Sequence, residues 1–190
     1  MRIVGGAYRG HRLAPAPKRG VRPTADPVRE ALFNIVGAQV GGRAFVDLCA
    51  GTGAVGLEAV SRGAEPVWLV ERARGALAVM RRNFERLGLD ETAGPARIAA
   101  ADCSTWLGRE AEQALAGLEV AVVFLDPPYG DGRLAEWLET IARAGWLSDK
   151  SMVVVEHRRD ERVAAPSLTE TWSKRYGDTG LTGLRRSSGN

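Results

Sequence analysis

A chain of 190 residues is long enough to bury the core of one catalytic domain and too short for two full domains with a linker. No stretch reaches the roughly 18 consecutive apolar residues of a membrane span, and the opening Met1, Arg2, Ile3, Val4 has no apolar signal region, so a cytoplasmic protein is expected. The two cysteines, Cys49 and Cys103, are too few for a zinc cluster and lie among small or apolar neighbours, so free thiols are expected, with no metal and no structural disulfide. The net charge of +3 is unevenly spread: residues 1–29 carry seven basic side chains against Asp26 alone, which makes a polyanion the expected partner.

In chain order, residues 2–4 and 11–13 are short extended pieces around a glycine-rich turn, a small β-hairpin. With the proline-bearing, basic linker that follows, they form an N-terminal unit over 1–20, leaving 21–190 as the main domain. Asp26 as cap and Pro27 as first helical residue open a helix whose apolar positions Val28, Ala31, Leu32, Ile35 and Val36 recur at helical spacing, ending by Gly41 and Gly42. Apolar runs at 44–48, 67–70, 97–101, 120–125 and 152–155 predict buried strands, and amphipathic stretches at 54–61, 73–87, 104–116 and 133–144 predict helices between them. Looser extended segments follow at 169–176 and 181–186. The alternation predicts an α/β fold, a doubly wound, mostly parallel Rossmann-like sheet of seven strands. His11 and His157 have no partner pattern and are expected at the surface.

The first strand runs into Asp47, Leu48, Cys49, Ala50, Gly51, Thr52, Gly53, Ala54, Val55, Gly56. Glycines at 51 and 53 allow a tight turn and close approach of a ligand, and Gly56 allows the next helix to sit near the sheet. The literal GxGxxG also fits a dinucleotide site and is weak alone. Asp47, however, disfavours a nearby pyrophosphate and suits the cationic methionine end of S-adenosyl-L-methionine. The pattern Asp-x-x-x-Gly-x-Gly resembles motif I of class I methyltransferases. Glu71 ends the second strand, where an acid accepts hydrogen bonds from both ribose hydroxyls of either cofactor. Asp102 follows the third strand, where it can accept from the adenine amino group or cap the next helix.

The fourth strand ends in Asp126, Pro127, Pro128, Tyr129. The prolines stop the ladder and stiffen the sheet's carboxyl edge, where open α/β sheets bind ligands. The segment resembles motif IV of methyltransferases acting on amines conjugated to planar rings. Such an amine has its lone pair delocalised into the ring. Asp126 and the Pro127 carbonyl can each accept one N–H, directing the lone pair at a sulfonium methyl, and Tyr129 can stack on the base.

These motifs, together with Arg22-Pro23-Thr24-Ala25-Asp26-Pro27-Val28-Arg29 and the late Tyr176-Gly177-Asp178-Thr179, make nearly the whole chain similar to the RsmD family, bacterial 16S rRNA guanine-N2-methyltransferases. The resemblance implies methyl transfer from S-adenosyl-L-methionine to guanine N2 in 16S rRNA of a partly or fully assembled small ribosomal subunit, by a monomer. It implies that Arg22, Thr24 and Arg29 line the active-site mouth, and that the hairpin grips RNA through Arg9 and Arg12. Cys49 stands where an aromatic is common in the family, Pro27 is not the usual residue, and 184–190 lacks the expected apolar-aromatic strand. An adenine-N6 or cytosine-N4 methyltransferase shares the Asp-Pro-Pro-Tyr motif, but a DNA enzyme of that kind needs a target-recognition domain this chain has no room for. An NAD-dependent oxidoreductase leaves Asp47 and Asp126 unexplained, and a non-catalytic RNA-binding module leaves the cofactor residues unexplained.

Overall fold

The apolar runs become the parallel part of a single sheet in the computed structural model, which describes residues 1–16, 24–128 and 130–187. The elements are α1 (Asp26–Val40), β1 (Ala44–Leu48), α2 (Ala54–Ser61), β2 (Val67–Val70), α3 (Arg74–Leu87), β3 (Ala96–Ala99), α4 (Cys103–Arg109), α5 (Ala111–Ala114), β4 (Val120–Leu125), α6 (Leu134–Arg143), β5 (Met152–Arg158), β6 (Leu168–Tyr176) and β7 (Thr179–Arg186). The sheet order is β3-β2-β1-β4-β5-β7-β6. β1 to β5 pair in parallel, and β7 runs antiparallel between β5 and β6.

Both faces of the sheet are covered, so the central strands are apolar throughout instead of alternating. Phe45, Leu69, Phe124 and Val154 pack with α1, α2 and α3 on one face. Val46, Leu48, Val123, Leu125 and Val155 pack with α4, α5 and α6 on the other. The order reverses between β1 and β4, and that switch point opens a crevice at the carboxyl ends of the strands.

Several sequence expectations change. Asp26 is the first residue of α1 and Ala25 its cap, with no side-chain capping bond; the Asp26 carboxylate instead accepts from Arg29 (3.0 Å). The helix expected over 104–116 is two pieces, α4 and α5. The last strand, for which no apolar-aromatic signature exists, forms fully. A Cβ on Gly183 would lie 2.2 Å from the Trp172 ring, and one on Gly180 would lie 2.4 Å from the His157 ring. These glycines let both rings approach β7 closely and erase the hydrophobic alternation that would have announced the strand. His157 is accordingly buried, not at the surface, with its ring nitrogens on the Arg158 carbonyl (2.8 Å) and Thr182 Oγ1 (2.9 Å).

The N-terminal hairpin is reduced to one antiparallel bridge, Arg2 with Arg12, and is moored to the core. Ile3 and Leu13 are buried in it. The Val4 and Gly5 N–H groups donate to the two Glu58 carboxylate oxygens (2.8 Å each), and the Tyr8 N–H donates to Ser61 Oγ (2.9 Å).

Candidate active site

Parallel strands end on one side of a sheet, so the acid that closes each strand arrives at a common rim. In sheet order these are Asp102 after β3, Glu71 after β2, Asp47 in β1, Asp126 after β4 and Glu156 near the end of β5. All five line one cavity of about 550 Å³, a size suited to a small-molecule ligand.

The glycine loop shapes one wall. Gly51 and Gly53 hold left-handed backbone (φ 56° and 77°), which a side chain would strain. Gly51 faces the cavity; Gly53 instead begins α2 just behind it. A Cβ on Gly56 would meet the Leu69 side chain at 2.7 Å, so glycine here lets α2 approach β2, and its N–H donates to Asp47 Oδ2 (2.8 Å).

Asp47 is buried, and burial pushes its carboxyl up to about 8; the Gly56 N–H opposes this, while the charges of Glu71 and Glu156 add to it. Glu71 holds the loop. Its Oε2 accepts from the Gly51 N–H (2.8 Å) and its Oε1 from the N–H groups of Arg72 (2.8 Å) and Ala73 (2.7 Å). Of the roughly four acceptor positions of a carboxylate, these three are taken among the described residues, which leaves capacity for one ribose hydroxyl where two were expected.

Asp102 does cap α4, accepting from the Ser104 N–H (3.0 Å), and it also accepts from Arg72 (3.1 Å) and Arg133 (3.2 Å). Burial opposes its ionisation, but the bonds from Arg133 and Ser104 and the charges of Arg133 and Arg72 win, holding it below the ordinary carboxylate range. Arg133 is clamped further by Asp131 (2.6 Å) and lies 4.8 Å over the Trp137 ring. Neither Arg72 nor Arg133 carries a motif that sequence reasoning could use. Cys49 and Cys103 are free thiols, as expected, and their sulfurs meet at 3.1 Å beside the loop.

At the other end, Asp126, Pro127 and Pro128 line the cavity with Thr24 and Glu156. The Pro128 carbonyl accepts from the Asp131 N–H (3.1 Å), closing a turn; among the described residues nothing donates to the Pro127 carbonyl. Thr24 is buried and donates from Oγ1 to Glu156 Oε2 (2.9 Å). Glu156 was missed in the sequence, although it follows an apolar run as Glu71 and Asp126 do. Tyr129 and Arg22 lie outside the described residues.

Arg29 is not at the mouth and cannot meet RNA: it is fully buried. Its guanidinium donates to the carbonyls of Thr24 (3.3 Å) and Arg2 and pairs with Asp26 (3.0 Å) and the buried Glu58 (3.6 Å). It ties the N-terminal segment to α1 and α2, so its charge is spent internally. Arg9 and Arg12 are exposed, away from the cavity.

A family model described as "Conserved hypothetical protein 95" matches residues 1–185. The chain is 34% identical over 173 residues to the Ribosomal RNA small subunit methyltransferase D of Escherichia coli K12, covering 91% of this chain and 81% of that one. The chain belongs to the RsmD family. A solved structure of a hypothetical protein from Thermus thermophilus is 32% identical, covers 98% of this chain and 99% of its own, and superposes with a TM-score of 0.79. The rRNA methyltransferase aviRa of Streptomyces viridochromogenes, 19% identical over 93% of this chain and 90% of its own with a TM-score of 0.66, shares the fold.

As an RsmD family member the chain is an S-adenosyl-L-methionine-dependent methyltransferase. The cavity's chemistry fits that donor. Burial and neighbouring acids disfavour a negative charge on Asp47, which a cationic ligand relieves and a pyrophosphate aggravates.

Proposed function

We propose that this enzyme methylates the exocyclic N2 of a guanine in 16S rRNA, within a partly or fully assembled small ribosomal subunit, and acts as a monomer. The observation that carries the reading is the position of the Asp126-Pro127 edge on the cavity wall. Asp47, Glu71 and Asp102 lie on the strands to one side of it, and Thr24 and Glu156 lie to the other. The first group holds the methyl donor and the second receives the base. Among the described residues no helix is long and apolar enough to cross a membrane.

When bound, S-adenosyl-L-methionine supplies an electrophilic methyl on a cationic sulfur. Asp47 faces the cationic amino-acid end, Glu71 the ribose, and Asp102, or the arginines it gathers, the adenine. Asp126 and the Pro127 carbonyl accept the two N–H bonds of the target amine, biasing its nitrogen toward sp3 and aiming the lone pair into the donor end of the cavity. Tyr129 stacks on the extruded base. These acceptors strengthen as the nitrogen becomes positive, so they favour the transition state over the bound substrate. The extra proton becomes acidic after methyl transfer and leaves then, without a strong base. Arg9 and Arg12 bind RNA phosphates outside the cavity, and Arg22 is a further RNA contact.

The test is a map of N2-methylguanosine in 16S rRNA from cells with and without the gene. One site disappears in the deletion strain and returns with the wild-type gene but not with Asp126→Ala. An unchanged map refutes the assignment.

A further inference from the structure

We propose that Glu156, held by Thr24, selects guanine by accepting the hydrogen of ring nitrogen N1, beside the reacting amine. This rests on the guanine-N2 reading above. Leu125 on β4 is in register with Val155 on β5, so Asp126 and Glu156 are the next residues on adjacent parallel strands, which run about 4.8 Å apart. Glu156 lies on the far side of Asp126 from the donor-facing acids, and it also lines a small recess beside Pro127 and Pro128. Its side chain is buried, and the 2.9 Å bond from Thr24 Oγ1 to Oε2 fixes its orientation.

A base whose amine sits at Asp126 presents its neighbouring ring edge toward β5. In guanine that edge carries N1–H, a donor, and a carboxylate accepts it. Adenine and cytosine carry a bare ring nitrogen next to their amine, an acceptor that a buried carboxylate repels. The discrimination therefore comes from a carboxylate that pairs with the N1–H of guanine and repels the bare ring nitrogen of the other two amino-bearing bases.

The test uses small-subunit particles reconstituted with either guanine or 2-aminopurine at the target position. 2-Aminopurine keeps the 2-amino group but has no N1–H. Single-turnover methylation gives a guanine to 2-aminopurine rate ratio for the wild type and for Glu156→Gln, whose amide can donate to a bare N1. The intrinsic reactivities of the two amines cancel between enzymes. The ratio is expected to fall by roughly 10² in Glu156→Gln and by a smaller factor in Thr24→Val, while S-adenosylhomocysteine affinity, measured by calorimetry at pH 9 where Asp47 is mostly ionised in every variant, stays within about twofold. Should Glu156→Gln be too slow to assay, competition between the two kinds of particle for the enzyme reads the same preference at equilibrium without turnover, and the preference for guanine over 2-aminopurine is expected to shrink in Glu156→Gln. An unchanged rate ratio, or an unchanged binding preference, overturns the assignment of Glu156 and leaves the enzyme's reaction standing. Failure of the wild type to methylate guanine at all overturns the guanine-N2 reading and this inference with it.

Discussion

Replacing Asp47 with asparagine removes one ionisable proton from the centre of the acid row and leaves an amide oxygen to accept the Gly56 N–H. With its carboxyl pushed up to about 8, Asp47 is roughly 9% ionised at pH 7 and 91% at pH 9 in the ligand-free enzyme, and only the ionised form pairs with a cationic ligand. Wild-type affinity for S-adenosylhomocysteine should therefore gain roughly tenfold from this group between pH 7 and pH 9, and binding at pH 7 should release about 0.9 proton. The ligand's own amino group titrates alike in both proteins, so the difference between wild type and Asp47→Asn isolates Asp47. Calorimetry in buffers of differing ionisation enthalpy counts the protons. Asp47→Asn should bind more weakly at pH 9 and release none of that proton. Stability moves the opposite way. The folded carboxyl titrates above its ordinary 3.8, so the fold keeps its full stability below about pH 4 and loses it as pH rises through about 8. Asp47→Asn escapes this loss and should melt higher than wild type above pH 8. Equal affinities at pH 9, with equal proton release and parallel melting curves, would refute the placement of the cation beside Asp47.

Asp126→Ala should lower the single-turnover rate on pre-bound particles by roughly 10² to 10³ with a much smaller loss of RNA affinity, and Asp126→Asn should retain more activity; a near-normal rate for Asp126→Ala reduces the motif to a scaffold. Glu58→Ala strips the mooring from Val4 and Gly5 and takes the buried carboxylate away from Arg29, leaving it the more exposed Asp26. It should cost about 3–5 kcal/mol in chemical denaturation, and a loss below 1 kcal/mol contradicts the buried pair. Replacing Arg9 and Arg12 with alanine should reduce the salt dependence of particle binding by roughly one to two phosphate equivalents without affecting S-adenosylhomocysteine affinity, and an unchanged salt slope removes them from the RNA grip. Cys49 is pushed up by its bond to Cys103 and by burial, so iodoacetamide should label it in Cys103→Ala faster than in wild type at pH 8; equal rates argue against the thiol pair.

The elements at the centre of the sheet were legible because burial on both faces leaves a continuous apolar run between polar boundaries. β1, β2, β4 and α2 have the bounds the sequence predicts. Four of the rim acids were legible for the same reason, since a carboxylate closing such a run stands out. Glu156 directly follows the apolar run 152–155 in the same way, but no motif surrounds it, and its partner Thr24 lies 132 residues away in the chain, brought to it only by the fold. Arg29 misled because a charge pattern records sign and position but not partners, and its counter-ion Glu58 comes from another helix. His157 was misplaced for a related reason: its partner Thr182 and the space above Gly180 belong to β7, the strand whose glycines conceal it. The clamp of Arg72 and Arg133 on Asp102 joins the loops after β2 and β4 to the one after β3, a proximity that only the sheet order creates.

The central claim is tested most directly with purified enzyme, small-subunit particles from cells lacking the gene, and S-adenosyl-L-methionine carrying a labelled methyl group. Digestion of the RNA to nucleosides after a single turnover, followed by mass spectrometry, identifies the methylated atom. Close to one labelled methyl per particle is expected, all of it in N2-methylguanosine, appearing roughly 10² to 10³ times more slowly with Asp126→Ala. Label in N6-methyladenosine or N4-methylcytidine, or none in the 16S RNA with an enzyme that binds S-adenosylhomocysteine normally, would contradict it.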